Sequence, residues 1–213
     1  MSLPASDDFN RGDLGNLGPN WAKNITDSIE QWSILSNEAN ANWTDVTARQ
    51  SSVWDADPFQ PDQYSEAVMT AHGATGFEEI GVVVRGRPGV EAGGSQAYDQ
   101  YQFSLDNFTP VWRIVRILNG ASSQLGTTGT ISPSPPDTLR VEIRGVNLEG
   151  FVNGSSVLKV TNSAIESGKS GIMCVAKSDD ANKFDNWEGG NLPSTDLDTK
   201  GWQAPFTTVR GVR

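Results

Sequence analysis

The side chains able to do chemistry are few and badly placed for catalysis. His72 is the single histidine, so a two-histidine metal site is excluded and a Ser-His-Asp relay has one base to draw on. No Gly-x-Ser-x-Gly elbow accompanies it. Cleaving a glycosidic bond takes two carboxyl groups about 5–10 Å apart. Glu78 and Glu79 are adjacent, which on a strand sends them to opposite faces. Glu142 stands alone between Arg140 and Arg144, in a stripe that reads as solvated or ligand-facing. Cys174, the one cysteine, lies in the apolar run Gly171-Ile172-Met173-Cys174-Val175-Ala176 and reads as a small buried hydrophobe. No catalytic residue is assigned, and the chain is not expected to be an enzyme.

Binding chemistry fits better. Sugars pack on aromatic faces rimmed by polar groups, which makes Trp43, Trp54, Tyr64, Tyr98 and Tyr101 candidate glycan contacts. Hard oxygen ligands suit calcium. Asp8 near the start and Asp185 near the end would meet if the first and last strands pair. No organic cofactor is expected; a structural calcium ion at Asp8 and Asp185 is the one metal reading.

The chain has 213 residues and a formal net charge of −10. That length suits one large β domain. An acidic surface repels phosphate backbones and anionic lipid, so neither nucleic acid nor membrane insertion is expected. Residues 1–8 show neither the basic nor the apolar region of a secretory signal. The chain is therefore expected to be made in the cytoplasm and to act on a virion or an extracellular surface. Without an export signal, the sequons at Asn24, Asn42, Asn107 and Asn153 read as chance.

The elements that must position these residues are short β segments separated by turns, in keeping with 22 glycines and 11 prolines. Strand patterns fall at 32–35, 64–71, 98–105 and 112–118, and Gly81-Val82-Val83-Val84-Arg85-Gly86 reads as a strand buried on both faces. Leu139, Val141 and Ile143 alternate with Arg140, Glu142 and Arg144, the mark of a sheet with one wet face. Asn119-Gly120 and Asn153-Gly154 are hairpin turns. Segments 171–176 and 183–187 read as a final strand pair, and 85–97 and 127–137 as loops. Trp21, Trp32, Trp43 and Trp54 recur at intervals of 11 with unlike flanks, a hairpin spacing rather than a repeat. No stretch holds a helical period. The pattern predicts an all-β, two-sheet antiparallel sandwich over 1–190. Residues 191–213 read as a C-terminal arm, and Trp202 and Phe206 suit docking on a partner.

The two ends carry a recognisable pattern. Asp7-Asp8-Phe9-Asn10-Arg11 with Leu14-Gly15 and Leu17-Gly18-x-Asn20-Trp21 opens the chain, and Phe184-Asp185-Asn186-Trp187-x-Gly189-Gly190 closes the patterned region. Together with 139–157 and 165–171 this resembles concanavalin A-like, laminin-G-like jelly-roll domains of bacterial surface proteins and phage structural proteins. The likeness covers about residues 7–190 and implies the jelly-roll fold, with Phe9 and Trp187 meeting where the sandwich closes. The acidic motif of the glucanase members is absent. Arg140-Val141-Glu142-Ile143-Arg144 is similar to a strand of alginate lyases, whose His and Tyr motifs are missing.

The expected function is a non-catalytic structural or attachment protein, foremost a virion component such as a capsid decoration, tail or fibre protein. Its expected partners are other copies of itself or other virion proteins, and a cell-surface glycan. One alternative is a carbohydrate-binding module of a bacterial surface or secreted system. Another is a polysaccharide lyase or hydrolase with an unrecognised site.

Overall fold

Turn chemistry sets the local structure. Asn119 and Gly120 take φ of 50° and 76°, and Asn153 and Gly154 take 51° and 75°, the paired positive values of a type I′ hairpin turn. Ser36 and Asn37 do the same at 56° and 65°, without an Asn-Gly signature in the sequence.

The computed structural model describes residues 3–24, 32–41, 49–73, 79–87, 98–175 and 182–193. The strands among them are β1 (Ala5–Asp7), β2 (Trp21–Lys23), β3 (Trp32–Leu35), β4 (Glu38–Ala41), β5 (Arg49–Trp54), β6 (Gln63–Ala71), β7 (Glu79–Arg87), β8 (Asp99–Asp106), β9 (Val111–Leu118), β10 (Ala121–Thr127), β11 (Asp137–Arg144), β12 (Asn147–Val152), β13 (Ser155–Thr161), β14 (Lys169–Val175) and β15 (Lys183–Asn191). No helix occurs among the described residues. An eight-stranded sheet runs β13-β12-β11-β6-β15-β4-β3, with β1 also paired to β15. A seven-stranded sheet runs β10-β9-β8-β7-β14-β5-β2. The registers that define both sheets are antiparallel. The two-sheet antiparallel sandwich expected from the sequence is therefore the fold.

The inner faces meet in one core. Met69, Leu139, Val141, Ile143 and Phe184 of the eight-stranded sheet pack with Ile80, Val82, Phe103, Leu105 and Ile172 of the seven-stranded sheet. The central strand β7 is buried on both faces, as its β-branched run predicts. Its outward Val83 joins Val53 and Met173 in a separate cluster.

Two expectations need correction. Strands β14 and β15 do not pair: β14 lies between β5 and β7, and β15 pairs with β1, β4 and β6 in the other sheet. Consecutive strands of a sandwich often change sheets, and period-2 patterning does not reveal which sheet a strand joins. Phe9 and Trp187 do share the core where the first and last strands pair, and Trp21 packs against both. Its ring centroid lies 6.1 Å from Phe9 and 4.7 Å from Trp187. The sandwich also runs past residue 190, since β15 reaches Asn191 and Leu192 is buried, with its N–H donating to Asp62 O at 2.9 Å.

One loop junction is held by a buried arginine. Arg85 lies at a register shift of β7 with φ of 51°, and such a bulge re-aims the side chain. Gly168 packs on it so closely that a Cβ would stand 2.3 Å from the Arg85 carbonyl carbon.

Candidate functional site

The N-terminal segment builds a hollow surface where the sandwich edges meet. β2 ends the seven-stranded sheet and β3 ends the eight-stranded sheet. Between them Leu14 forms a two-way bridge with Ile34, at 3.0 and 2.8 Å. The chain then turns at Gly18, whose φ of 95° favours glycine. A hollow of about 500 Å³ lies on one side of this segment, bordered by Ser6, Asp7, Asp8, Arg11, Asn20 and Trp54. A second, of about 530 Å³, lies on the other, bordered by Asn16, Trp21, Ala22, Lys23, Trp32 and Ser52. Leu14, Leu17, Gly18 and Pro19 border both. Together they form a trough.

Its walls are tied together. Arg11 grips Asp7 with two bonds, at 2.6 and 2.9 Å, and also donates to Leu17 O at 2.6 Å. Burial works against the Arg11 charge, but the Asp7 hydrogen bond is the larger effect and holds its pKa above the ordinary value. Trp21 Nε1 donates to Asp7 Oδ2 at 2.8 Å. Trp54 stacks on Trp187 at 5.4 Å and meets Trp21 edge-on at 5.6 Å. Trp21 is the half-buried indole here, while Trp32 and Trp54 are 1% and 2% exposed. One partly open ring with fixed polar groups around concave space is a setting in which a sugar C–H face can meet a ring and hydroxyls can meet carboxylates and amides.

The structure redistributes the five aromatic candidates. Trp54 borders the trough, although it is only 2% exposed. Tyr101 is buried in the core, donating to Asn162 Oδ1 at 2.7 Å and accepting from Ile165 N at 3.0 Å. Tyr98 is buried with Val115 and Ile117 on the outward face of the seven-stranded sheet. Tyr64 lies on the outward face of the eight-stranded sheet, but the Arg140 guanidinium sits 3.9 Å over its ring and its hydroxyl bonds Glu188. Tyr98 and Tyr101 thus offer no face to a ligand, and the face of Tyr64 is taken. Large aromatics fill a sandwich before they decorate it. Trp43, Trp202, Phe206 and Glu78 lie outside the described residues. Trp21, Trp32, Asn20 and Arg11, which the sequence does not single out as ligand contacts, border the hollows. The regular tryptophan spacing was the available signal: three of its four members border the trough.

Both outward faces also carry polar groups. On the seven-stranded sheet, Asn24 donates to Gln100, Gln100 to Gln102, and Gln102 to Glu79, all buried. Arg113 donates to Glu79 Oε2 at 2.6 Å and pairs with Asp106 at 2.7 Å. On the eight-stranded sheet, Arg140 pairs with Glu66 and Glu142, and Arg144 with Glu142. The alternating stripe read from the sequence is this wet face.

The charge of Asp8 reaches Asp185 across the pairing of β1 with β15. Burial pushes the Asp185 carboxyl up, the Asn186 N–H works against this, and the charges of Glu38 and Asp8 add to the rise. Among the described residues no three carboxylate, histidine or cysteine side chains converge as metal ligands. Calcium takes 6–8 oxygens, so the pair does not supply a shell. A raised folded pKa means that the stabilising contribution is full on the acid side and is lost as pH rises through it. The stability of the native chain relative to Asp185→Asn should therefore fall between acid and neutral pH, which chemical denaturation at several pH values measures. A rise in Tm with added calcium that Asp185→Asn abolishes would restore the metal reading.

No family model and no curated protein matches the sequence. Solved structures do. The carbohydrate binding module CBM66 from Bacillus subtilis is 16% identical with a TM-score of 0.55, over 84% of this chain and 99% of that one. The exoplasmic/lumenal domain of VIP36, in its Ca2+/Man3GlcNAc-bound form, is 12% identical with a TM-score of 0.57, over 82% and 85%. LamAcat from Zobellia galactanivorans is 11% identical with a TM-score of 0.55, over 90% and 98%. At these identities the likeness shows the fold, a concanavalin A-like jelly-roll sandwich.

Proposed function

We propose that this domain binds carbohydrate without cleaving it, through the trough between the sheet edges. The observation that carries the reading is half-buried Trp21, bonded to Asp7 and standing at one of two neighbouring hollows of about 500 and 530 Å³, the other bordered by Asp7, Arg11 and Asn20. Similar folds that bear a carbohydrate-binding name or a bound mannose oligosaccharide support it. The buried carboxylate Glu79 is taken up by Arg113, which suits a binding role rather than acid–base work. The virion reading rests on the N-terminal pattern, the acidic charge, the lack of a catalytic set and the C-terminal arm with Trp202 and Phe206; that arm lies outside the described residues, and no described feature favours the reading. A domain of this kind would act where polysaccharide is found, outside the cell that makes it.

Affinity electrophoresis across a polysaccharide panel tests this. The native chain should be retained by at least one polysaccharide. Trp21→Ala should weaken that retention about tenfold or more, as expected of an aromatic anchor. No retention on any polysaccharide would sink the reading. Retention untouched by Trp21→Ala would move the site elsewhere, and released reducing sugar would replace binding with catalysis.

A further inference from the structure

The opening pattern of the chain, from Asp7 through Phe9 and Arg11 to Leu17 and Trp21, is wired through one carboxylate. Asp7 Oδ1 accepts from Phe9 N at 2.9 Å and from Arg11 Nη1 at 2.6 Å. Asp7 Oδ2 accepts from Arg11 Nη2 at 2.9 Å and from Trp21 Nε1 at 2.8 Å. A carboxylate offers about four lone-pair sites, so these bonds fill it. The side chain is also only 9% exposed. Asp7 therefore has no acceptor left for a ligand hydroxyl, and its capacity goes to holding other groups in place.

Trp21 is the group at the hollow that it holds. The ring is half-buried and packs against Phe9, Trp54 and Trp187. Apolar packing is non-directional and leaves the tilt of a ring free. A hydrogen bond to the ring edge sets that tilt, because it weakens steeply off line. The acceptor is itself anchored. Strand pairing sets Asp7 opposite Trp187, and the Arg11 guanidinium clamps both carboxylate oxygens. Arg11 in turn donates to Leu17 O at 2.6 Å, which ties the clamp to the segment between the two hollows. The open indole is thus aimed from β1, 14 positions away.

We propose that Asp7 is a positioning residue for saccharide binding: it holds the Trp21 ring in one orientation, so that the ring need not be ordered when a sugar packs on it. This rests on the carbohydrate reading above and adds the residue that prepares its aromatic contact.

The test uses Asp7→Asn, Trp21→Phe and the double variant. Asparagine keeps the shape of Asp7 but replaces one oxygen by NH2, which meets an N–H donor whichever way the amide turns. The Trp21 Nε1–H resonance, assigned by its absence from Trp21→Phe, should exchange with solvent about tenfold faster or more in Asp7→Asn, as loss of a hydrogen bond to a charged group implies. That readout needs no ligand. Affinity electrophoresis on laminarin, mannan, xylan, pectate and alginate gives the second. Asp7→Asn should bind the retaining polysaccharide about two- to tenfold more weakly, the cost of ordering one side chain. In Trp21→Phe, which has already lost the bond, adding Asp7→Asn should change affinity by less than about twofold. In the native chain the Trp21 indole N–H should be equally rigid before and after saturation with the polysaccharide. A ring that becomes ordered only with ligand overturns the proposal, even where Asp7→Asn folds poorly. So does a lowered Tm in Asp7→Asn with unmoved Trp21 exchange and unmoved affinity of the folded protein, or an equal loss of affinity in the native and Trp21→Phe backgrounds; each leaves carbohydrate binding intact. If none of the polysaccharides retains the native chain, the carbohydrate reading falls and this proposal with it.

Discussion

Replacing Arg85 with alanine should cost the domain about 3–5 kcal/mol, the range for losing several hydrogen bonds from a buried charged group. Arg85 is 3% exposed. Its Nε donates to Pro61 O at 2.9 Å, Nη1 to Ile165 O at 2.7 Å and Nη2 to Gly145 O at 2.8 Å. One planar fork thus ties three chain segments far apart in sequence. Burial lowers its pKa, and the nearby Tyr101, Asp62 and Glu166 offset part of this. Truncation leaves the Ile165 carbonyl buried without its donor and opens a cavity. For a chain of this length each kcal/mol moves Tm by about 2–4 °C, so a fall of roughly 6–20 °C is expected. Arg85→Lys should recover little, because a point ammonium cannot reach three carbonyls in one plane. Thermal and urea unfolding of both variants check this. A loss below about 1 kcal/mol, the size of an ordinary surface change, would show that the fork is dispensable.

Glu79→Ala should be similarly damaging, about 3–5 kcal/mol, as for a broken buried ion pair. Glu79 is 2% exposed and collects bonds from Gln102, Ser104 and Arg113. Removing it strands two neutral donors and half of the Arg113 charge compensation. Burial works against that charge, but Glu79 and Asp106 outweigh it and hold the Arg113 pKa above its ordinary value. The double variant Glu79→Ala with Arg113→Ala should be less damaged than the sum of the single variants, since each single change leaves its partner buried and unpaired. Urea denaturation of the full cycle measures this coupling. Strict additivity would mean that the pair is screened by solvent. Because Glu79 lies away from the trough, carbohydrate binding by the folded fraction should persist in the single variant.

Much of the fold was legible because its causes are local. Asn-Gly turns force positive φ at both central positions, so the hairpins after β9 and β12 could be placed from two residues each. The alternation of Leu139, Val141 and Ile143 with Arg140, Glu142 and Arg144 states which face is wet. Strands without those cues were invisible. β5 carries Gln50, Ser51 and Ser52 at buried positions. The Ser51 hydroxyl is satisfied there by donating to Gln100 Oε1, 2.7 Å away and 49 positions along the chain. β4 follows a Ser-Asn turn, a weaker signal than Asn-Gly.

The site was legible in residue type but not in residue number. Of the aromatics singled out, Tyr98 and Tyr101 are packing residues and Trp54 borders one hollow, while Trp21 and Trp32 border the other. In the sequence Trp21, Trp32 and Trp54 are alike, each amid polar neighbours. Their difference arises when β2 pairs with β5, setting Trp21 opposite Trp54, and when β3 forms the edge of the other sheet. Period-2 alternation and turn residues act over a few positions, so the residues alone carry the all-β class, the hairpins and the wet stripe. The sheet each strand joins, the depth of each tryptophan and the hydrogen-bond partner left to its N–H depend on strands paired across 33 positions, as Trp21 with Trp54, to 184, as Ala5 with Gly189. No local rule encodes those distances, because they are set by how two whole sheets fill one core.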